Sequence, residues 1–232
     1  MKRIFAITVC AFALPDPTLA ATRTYDAGTF AGVSVASGVE AEITTGPTRS
    51  VVAETKSDNF DDLQISVKDD VLRIERPASN WLSSWFGSRP DFKVRVVTPA
   101  LHSLTASSGT KVTVEGNLEG DFSVTASSGS EVDVSRVKGG NVKAHISSGS
   151  DIGIAGSCIS LEVEASSGSD LDADDLRCET VSIQASSGSD VSVAASRSIR
   201  GKASSGSDVR VKGKPPSVQV ETSSGASVVV KE

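Results

Sequence analysis

The tripeptide Ser-Ser-Gly recurs seven times, beginning at Ser107, Ser127, Ser147, Ser166, Ser186, Ser204 and Ser223, at spacings of 18 to 20 residues. A period of that length, held over more than half the chain, points to stacked equivalent units, each of which cannot bury its apolar face alone. Around each copy the side chains alternate: Phe122, Val124 and Ala126 lead into Ser127-Ser128-Gly129-Ser130, and Val132 and Val134 lead out. Period two is the signature of a strand.

Aligning the copies turns the alternation into columns. One column holds His102, Phe122, Val142, Leu161, Val181, Ile199 and Val218, and the next holds Leu104, Val124, Ala144, Val163, Ile183, Gly201 and Val220. After the corner, Val112, Val132, Ile152, Leu171, Val191, Val209 and Val228 form another. Stacking coils at the inter-strand distance of about 4.8 Å makes each column an interior ladder and pairs every backbone amide with the coil above or below. Ser-Ser-Gly-Ser is the natural corner, since glycine permits a bend closed to other residues and serine can hydrogen-bond its own backbone. A second break, as at Lys138-Gly139-Gly140, closes the coil.

The left-handed β-helix carries a hexapeptide repeat, and no six-residue period is visible inside these coils. The expected fold is therefore all-β: a single-stranded, right-handed parallel β-helix of about 20 residues per coil, regular from about residue 100 to 232. Sandwiches do not need columns this uniform, and propeller blades need about twice the period. The less regular first third carries strand-like runs at residues 30–35, 39–44, 51–54, 63–67, 71–74 and 92–97, and Val35-Ala36-Ser37-Gly38-Val39 looks like a degenerate corner. It is expected to supply opening coils and a cap against edge-to-edge pairing.

Residues 1–20 read as a secretory leader: Lys2 and Arg3, an apolar run from Ile4 to Leu14, and Thr18-Leu19-Ala20 as a small-residue cleavage site. The expected organisation is a signal peptide over 1–20 and one β-helical domain over 21–232. Cys10 follows Ile7-Thr8-Val9, a poor lipobox. No later segment reaches about 18 continuous apolar residues, so no membrane span is expected. Of 23 basic and 29 acidic side chains, Lys2, Arg3 and Asp16 fall in the leader, leaving 21 against 28 and a net charge of −7. That balance argues against nucleic acid or anionic lipid as a partner.

The chain resembles the putative auto-transporter adhesin, head GIN domain family. The resemblance rests on Phe30-Ala31-Gly32-Val33-Ser34-Val35 running into Gly38-Val39-Glu40-Ala41-Glu42-Ile43, on Asp70-Val71-Leu72-Arg73-Ile74, on Val94 to Val97 followed by Thr98-Pro99-Ala100-Leu101, and on the serial Ser-Gly corners. It implies a β-helical fold and an envelope or extracellular location. Up to Val230-Lys231-Glu232 there is no long series of amphipathic strands of the kind a translocating barrel requires, so a complete autotransporter is not expected.

Cys158 and Cys178, 20 residues apart at nearly the same point of adjacent coils, are candidates for a disulfide, with two buried thiols as the alternative. Glu131, Asp151, Asp170, Asp190 and Asp208 form an acidic file just after the corners, expected as a solvated face or, less readily, a cation site. No other metal site is expected: His102 and His145 lack a third ligand at recognisable spacing. No catalytic residue is expected either, since seven equivalent serines without a base are architecture, and Asp61-Asp62 and Asp174-Asp175 read as turn residues. Trp81, Leu82, Trp85 and Phe86 cluster in the irregular segment from Pro77 to Pro90, as a cap over the open end or a contact site.

The expectation is thus an exported, non-enzymatic β-helix of the periplasm, cell surface or medium, without a cofactor, that contacts an envelope protein or glycan. The sequence leaves its oligomeric state open. The competing reading is a carbohydrate-active β-helix lyase or hydrolase, which would need a groove lined by converging carboxylates.

Overall fold

A computed structural model describes residues 20–77 and 91–231. Among them all regular structure is β-strand, wound into a solenoid with roughly 20 residues per turn. Residues 1–19, where the leader is expected, and the segment 78–90, with Trp81, Leu82, Trp85 and Phe86, lie outside the described residues.

The first seven strands are β1 (Ala21–Tyr25), β2 (Gly32–Ala36), β3 (Glu40–Thr45), β4 (Ser50–Thr55), β5 (Gln64–Lys68), β6 (Val71–Glu75) and β7 (Phe92–Thr98). The regular coils follow as β8 (Ser103–Ser107), β9 (Lys111–Glu115), β10 (Leu118–Glu119), β11 (Phe122–Ser127), β12 (Glu131–Lys138) and β13 (Asn141–Ile146). Next come the long strands β14 (Asp151–Ala165), β15 (Asp170–Ala185) and β16 (Asp190–Ala203), then β17 (Asp208–Lys212), β18 (Ser217–Thr222) and β19 (Ser227–Lys231).

Each regular coil has three sides. Face A carries the strand that enters the corner: β8, β11, β13, the last third of β14, β15 and β16, and β18, all parallel and in register. Face B carries the strand that leaves it: β9, β12, the starts of β14, β15 and β16, then β17 and β19. A short third side stacks β10 on Val137-Lys138 and continues through Gly156-Ser157 and Leu176-Arg177. The inward columns are buried throughout, from Leu104 to Ile183 on face A and from Val112 to Val211 on face B. Burying each such side chain stabilises the stack by about 1.5–3 kcal/mol.

The corner has one conformation, repeated. Its second serine lies in the left-handed region, at φ of +51° to +61° from Ser108 to Ser224, and the following glycine lies at +66° to +78°. Each of these glycine N–H groups from Gly109 to Gly206 donates to the carbonyl of the second serine in the next coil at 3.0–3.1 Å, so the ladder runs through the bend. Ser37 and Gly38, at +64° and +73°, repeat the geometry, and Gly38 N–H donates to Ser108 O, which makes them an eighth corner. The residue after the glycine turns inward: Ser130, Ser150, Ser169, Ser189 and Ser207 are all buried.

The N-terminal third does not stack in chain order. β2 lies between β6 and β8 on face A, and β3 lies between β7 and β9 on face B, so the first corner coil is sandwiched between coils formed later in the chain. Beyond β7 the order is β4 then β1, both antiparallel, and beyond β6 comes antiparallel β5. These antiparallel strands are the cap. β6 thus belongs to face A and β7 to face B.

One position departs from the columns expected above. His102 is exposed and the adjacent Leu101 is buried, because the chain reaches β8 by crossing the β2–β3 coil, with His102 N–H bonded to Ala31 O. At the other end no described strand lies beyond β18 and β19, and Val218 and Val230 are 43% and 47% exposed.

Candidate functional site

The outward side of face B is built by alternation. With Val132, Ile152, Leu171, Val191 and Val209 turned inward, the residues before them must point out. Glu131, Asp151, Asp170, Asp190 and Asp208 are accordingly in direct register, one coil apart. The column begins differently. Lys93, Glu40 and Lys111 precede Glu131, with Lys93 Nζ 3.1 Å from Glu40 and Lys111 Nζ 2.6 Å from Glu131. At the far end Arg210 reaches Asp190 at 3.3 Å. Asp170, in the middle, has its carboxyl pushed above the ordinary aspartate range, first by partial burial and then by the charges of Asp190, Asp151 and Asp172.

The parallel outward column runs through Arg95, Glu42, Thr113, Asp133, Gly153, Asp172, Ser192 and Arg210. At its N-terminal end Lys93 and Arg95 bridge Glu40, Glu42 and Glu54, and the Lys93 ammonium holds the Glu42 carboxyl below its usual range. Further along, Gly153 leaves a groove of about 320 Å³ flanked by Glu115, Asp133, Asp172 and Asp175. Among the described residues no group of three or more His, Cys, Asp or Glu side chains is arranged to hold a metal ion. Asp174 and Asp175 are ion-paired to Lys212 at 3.3 and 3.2 Å.

Cys158 and Cys178 face each other across adjacent coils on the third side, with Cα atoms 4.5 Å apart and their sulfurs bonded. His145 Nδ1 lies 3.0 Å from Glu164 on face A, whereas the His102 ring approaches Asp121 O at 3.4 Å. Among the described residues neither histidine is brought together with a serine as a nucleophile and base. Asp61 sits in a turn, its N–H donating to Asn59 Oδ1 at 2.7 Å.

Sequence reasoning passed over two features. The buried serines after the corner glycine form an internal polar ladder: Ser130 Oγ donates to Ser127 O or Ala106 O at 2.9 and 3.1 Å, and the Ser169, Ser189 and Ser207 hydroxyls donate to Ile146 O, Ala165 O and Ala185 O. Their period-two position relative to the inward valines was the available signal. The second feature is the outward array on face A around Arg200, whose in-register neighbours Ser182 and Gln219 are neutral.

Residues 29–215 match the family described as putative auto-transporter adhesin, head GIN domain. The chain belongs to this family. Solved structures with the same winding include a putative adhesin from Bacteroides fragilis NCTC 9343, 17% identical with a TM-score of 0.78, covering 92% of this chain and 97% of that one. A putative lipid binding protein from Parabacteroides distasonis ATCC 8503 (13% identity, TM-score 0.71) covers the same shares of the two chains. A putative adhesin from Parabacteroides merdae ATCC 43184 (14% identity, TM-score 0.69) covers 92% of this chain and 96% of that one. At such identities these neighbours speak for the fold alone. No curated protein matches the chain.

Proposed function

We propose that this head GIN-domain chain is an exported, non-enzymatic module of the periplasm, cell surface or medium that works by surface contact through its flat strand faces. The observation that carries this reading is the uniformity of the corners. Across the regular coils each Ser-Ser-Gly corner is made by the same few residues and the remaining connections are short, so no long loops rise to wall a catalytic cleft and two broad faces are left bearing side chains. The organisation that fits is a leader over residues 1–20 and one solenoid unit over 21–232, with β1 starting directly after the expected cleavage site. Among the described residues no helix is long and apolar enough to cross a membrane.

The groove over Gly153 is the feature that favours the second reading, a carbohydrate-active β-helix enzyme, because carboxylates flank open space there. Against it, Asp133 and Asp172 lie in one column on a flat sheet, not on opposing walls.

Both readings are decided by one set of assays. Residues 21–232 immobilised on beads should retain bacterial cells, envelope proteins or a glycan class above an unrelated β-solenoid, and should leave acidic polysaccharides at unchanged length. Retention no better than the control overturns the contact reading. New reducing ends or unsaturated products would establish the enzyme in its place.

A further inference from the structure

We propose that the outward side of face A between β15, β16 and β18 is a binding site for the carboxylate-bearing sugars of an acidic polysaccharide; this rests on the contact reading above and names its ligand. A shallow depression of about 660 Å³ lies there, lined on the outside by Ser182, Gln184, Arg200, Lys202, Gln219 and Glu221. Elsewhere in the regular coils, the basic side chains on this face stack against carboxylates: Lys143 on Glu162 at 3.0 Å, and His145 on Glu164 at 3.0 Å. Lys202 likewise meets Glu221, at 3.4 Å, but Arg200 lies between the Ser182 hydroxyl and the Gln219 amide. An exposed guanidinium bracketed by neutral hydrogen-bonding groups keeps its planar fork open to a carboxylate from outside.

The strand itself departs from regular geometry at the same spot. Gly201, between the two cations, occupies a position that the neighbouring coils fill with Val163, Ile183 and Val220, yet its φ is +149° and a Cβ there would fall 1.9 Å from Ile183 O. The backbone therefore leaves ordinary strand geometry between Arg200 and Lys202 and closes against the coil beside it. The close approach that excludes a side chain here is that of the neighbouring coil's own backbone, which draws the strand carrying Arg200 and Lys202 against Ile183.

The chemistry selects the ligand class. Amides on Gln184 and Gln219 and the hydroxyl on Ser182 offer paired donors and acceptors of the kind that bind sugar hydroxyls, beside one guanidinium and one ammonium for the acid group. The lining side chains come from three successive coils about 4.8 Å apart, so a ligand that spans them lies along the solenoid axis, which suits a segment of extended polymer. The chain's net negative charge would repel a polyanion at long range, so affinity has to come from these local groups.

The test titrates residues 21–232 with oligogalacturonate, with a neutral maltooligosaccharide of equal length and with phosphatidylglycerol vesicles, by calorimetry. Oligogalacturonate should bind and the neutral sugar should not. Arg200→Ala should lose about tenfold or more in affinity, the scale of a charge-assisted hydrogen bond. Arg200→Lys should recover only part of it, while Lys143→Ala, whose ammonium is paired with Glu162, should bind like the parent. Unchanged circular dichroism and thermal midpoint in each variant keep the comparison on the site. No oligogalacturonate binding by the folded parent, equal binding by Arg200→Ala, or binding to the vesicles alone overturns the assignment. If bead-bound Arg200→Ala retains cells as the parent does, this site falls and the contact reading stands; if the parent retains nothing, the contact reading itself falls.

Discussion

Ser130 shows how a single residue type serves two opposite demands in each coil. The second serine of the corner is exposed at positive φ and needs only to tolerate the left-handed region, whereas the fourth is buried and must be satisfied. Ser130 Oγ donates to backbone carbonyls and also accepts from Ser127 N–H at 3.1 Å. Ser130→Ala should therefore cost about 1–3 kcal/mol, because it leaves buried backbone groups unpaired, and chemical denaturation of the two proteins measures it. Asp170 offers a pH test. Its folded-state pKa is raised, so the folded chain holds the proton more tightly than the unfolded chain does. The stabilisation from protonation is full below the unfolded pKa and is lost as pH rises through the folded value. Asp170→Asn should thus melt above the parent at pH 7, and the gap should narrow as pH drops through the carboxylate range; a gap that widens in acid contradicts this.

Among the elements, the long strands β14 and β15 bear the only covalent tie described between coils, Cys158 to Cys178. It closes a 20-residue separation, for which chain-entropy arguments give about 3 kcal/mol. Mature protein should titrate no free thiol under non-reducing conditions, and the double variant Cys158→Ser, Cys178→Ser should lose about that much stability; two free thiols in the parent would remove the tie. The regular strands were legible in the sequence because each coil repeats one period-two pattern about one corner. Ser37 and Gly38 were legible for the same reason. The pairing partners of β2 and β3 were not. Nothing local in Val33 or Ala41 distinguishes a neighbour at β8 and β9 from one at β6 and β7, and only the stacked whole decides it. His102 was misplaced for a related reason, since the crossing at residues 99–102 breaks the register that every later coil keeps. The Arg200 array escaped a column-by-column reading because its meaning lies in the neighbours of adjacent coils, Ser182 and Gln219.

At the scale of the whole molecule, the two ends are built differently. Antiparallel β1, β4 and β5 blunt the N-terminal end, which protects against edge pairing, while the C-terminal end finishes in β18 and β19 with their inward valines half exposed. Cap strand β4 pairs with β7, and β2 and β3 lie between β6–β7 and β8–β9, so folding has to couple residues far apart in the chain at this end. At the other end each coil touches only its neighbours. Under mechanical load the molecule therefore has a weak direction. Held at its capped end and drawn from residue 232, it should peel coil by coil from β19 inward. The peeling should stall at Cys178, because the bond to Cys158 fastens the next coil down. The 54 residues beyond Cys178 would then have paid out roughly 180 Å of slack. Single-molecule pulling should show that stall under oxidising conditions and further releases of one coil each once the tie is reduced; an all-at-once rupture would show that the coils do not yield separately. A contact made on face A across β15, β16 and β18, from Ser182 to Glu221, would sit wholly on the yielding side of that stop, and so would be released before the rest of the rod gives way.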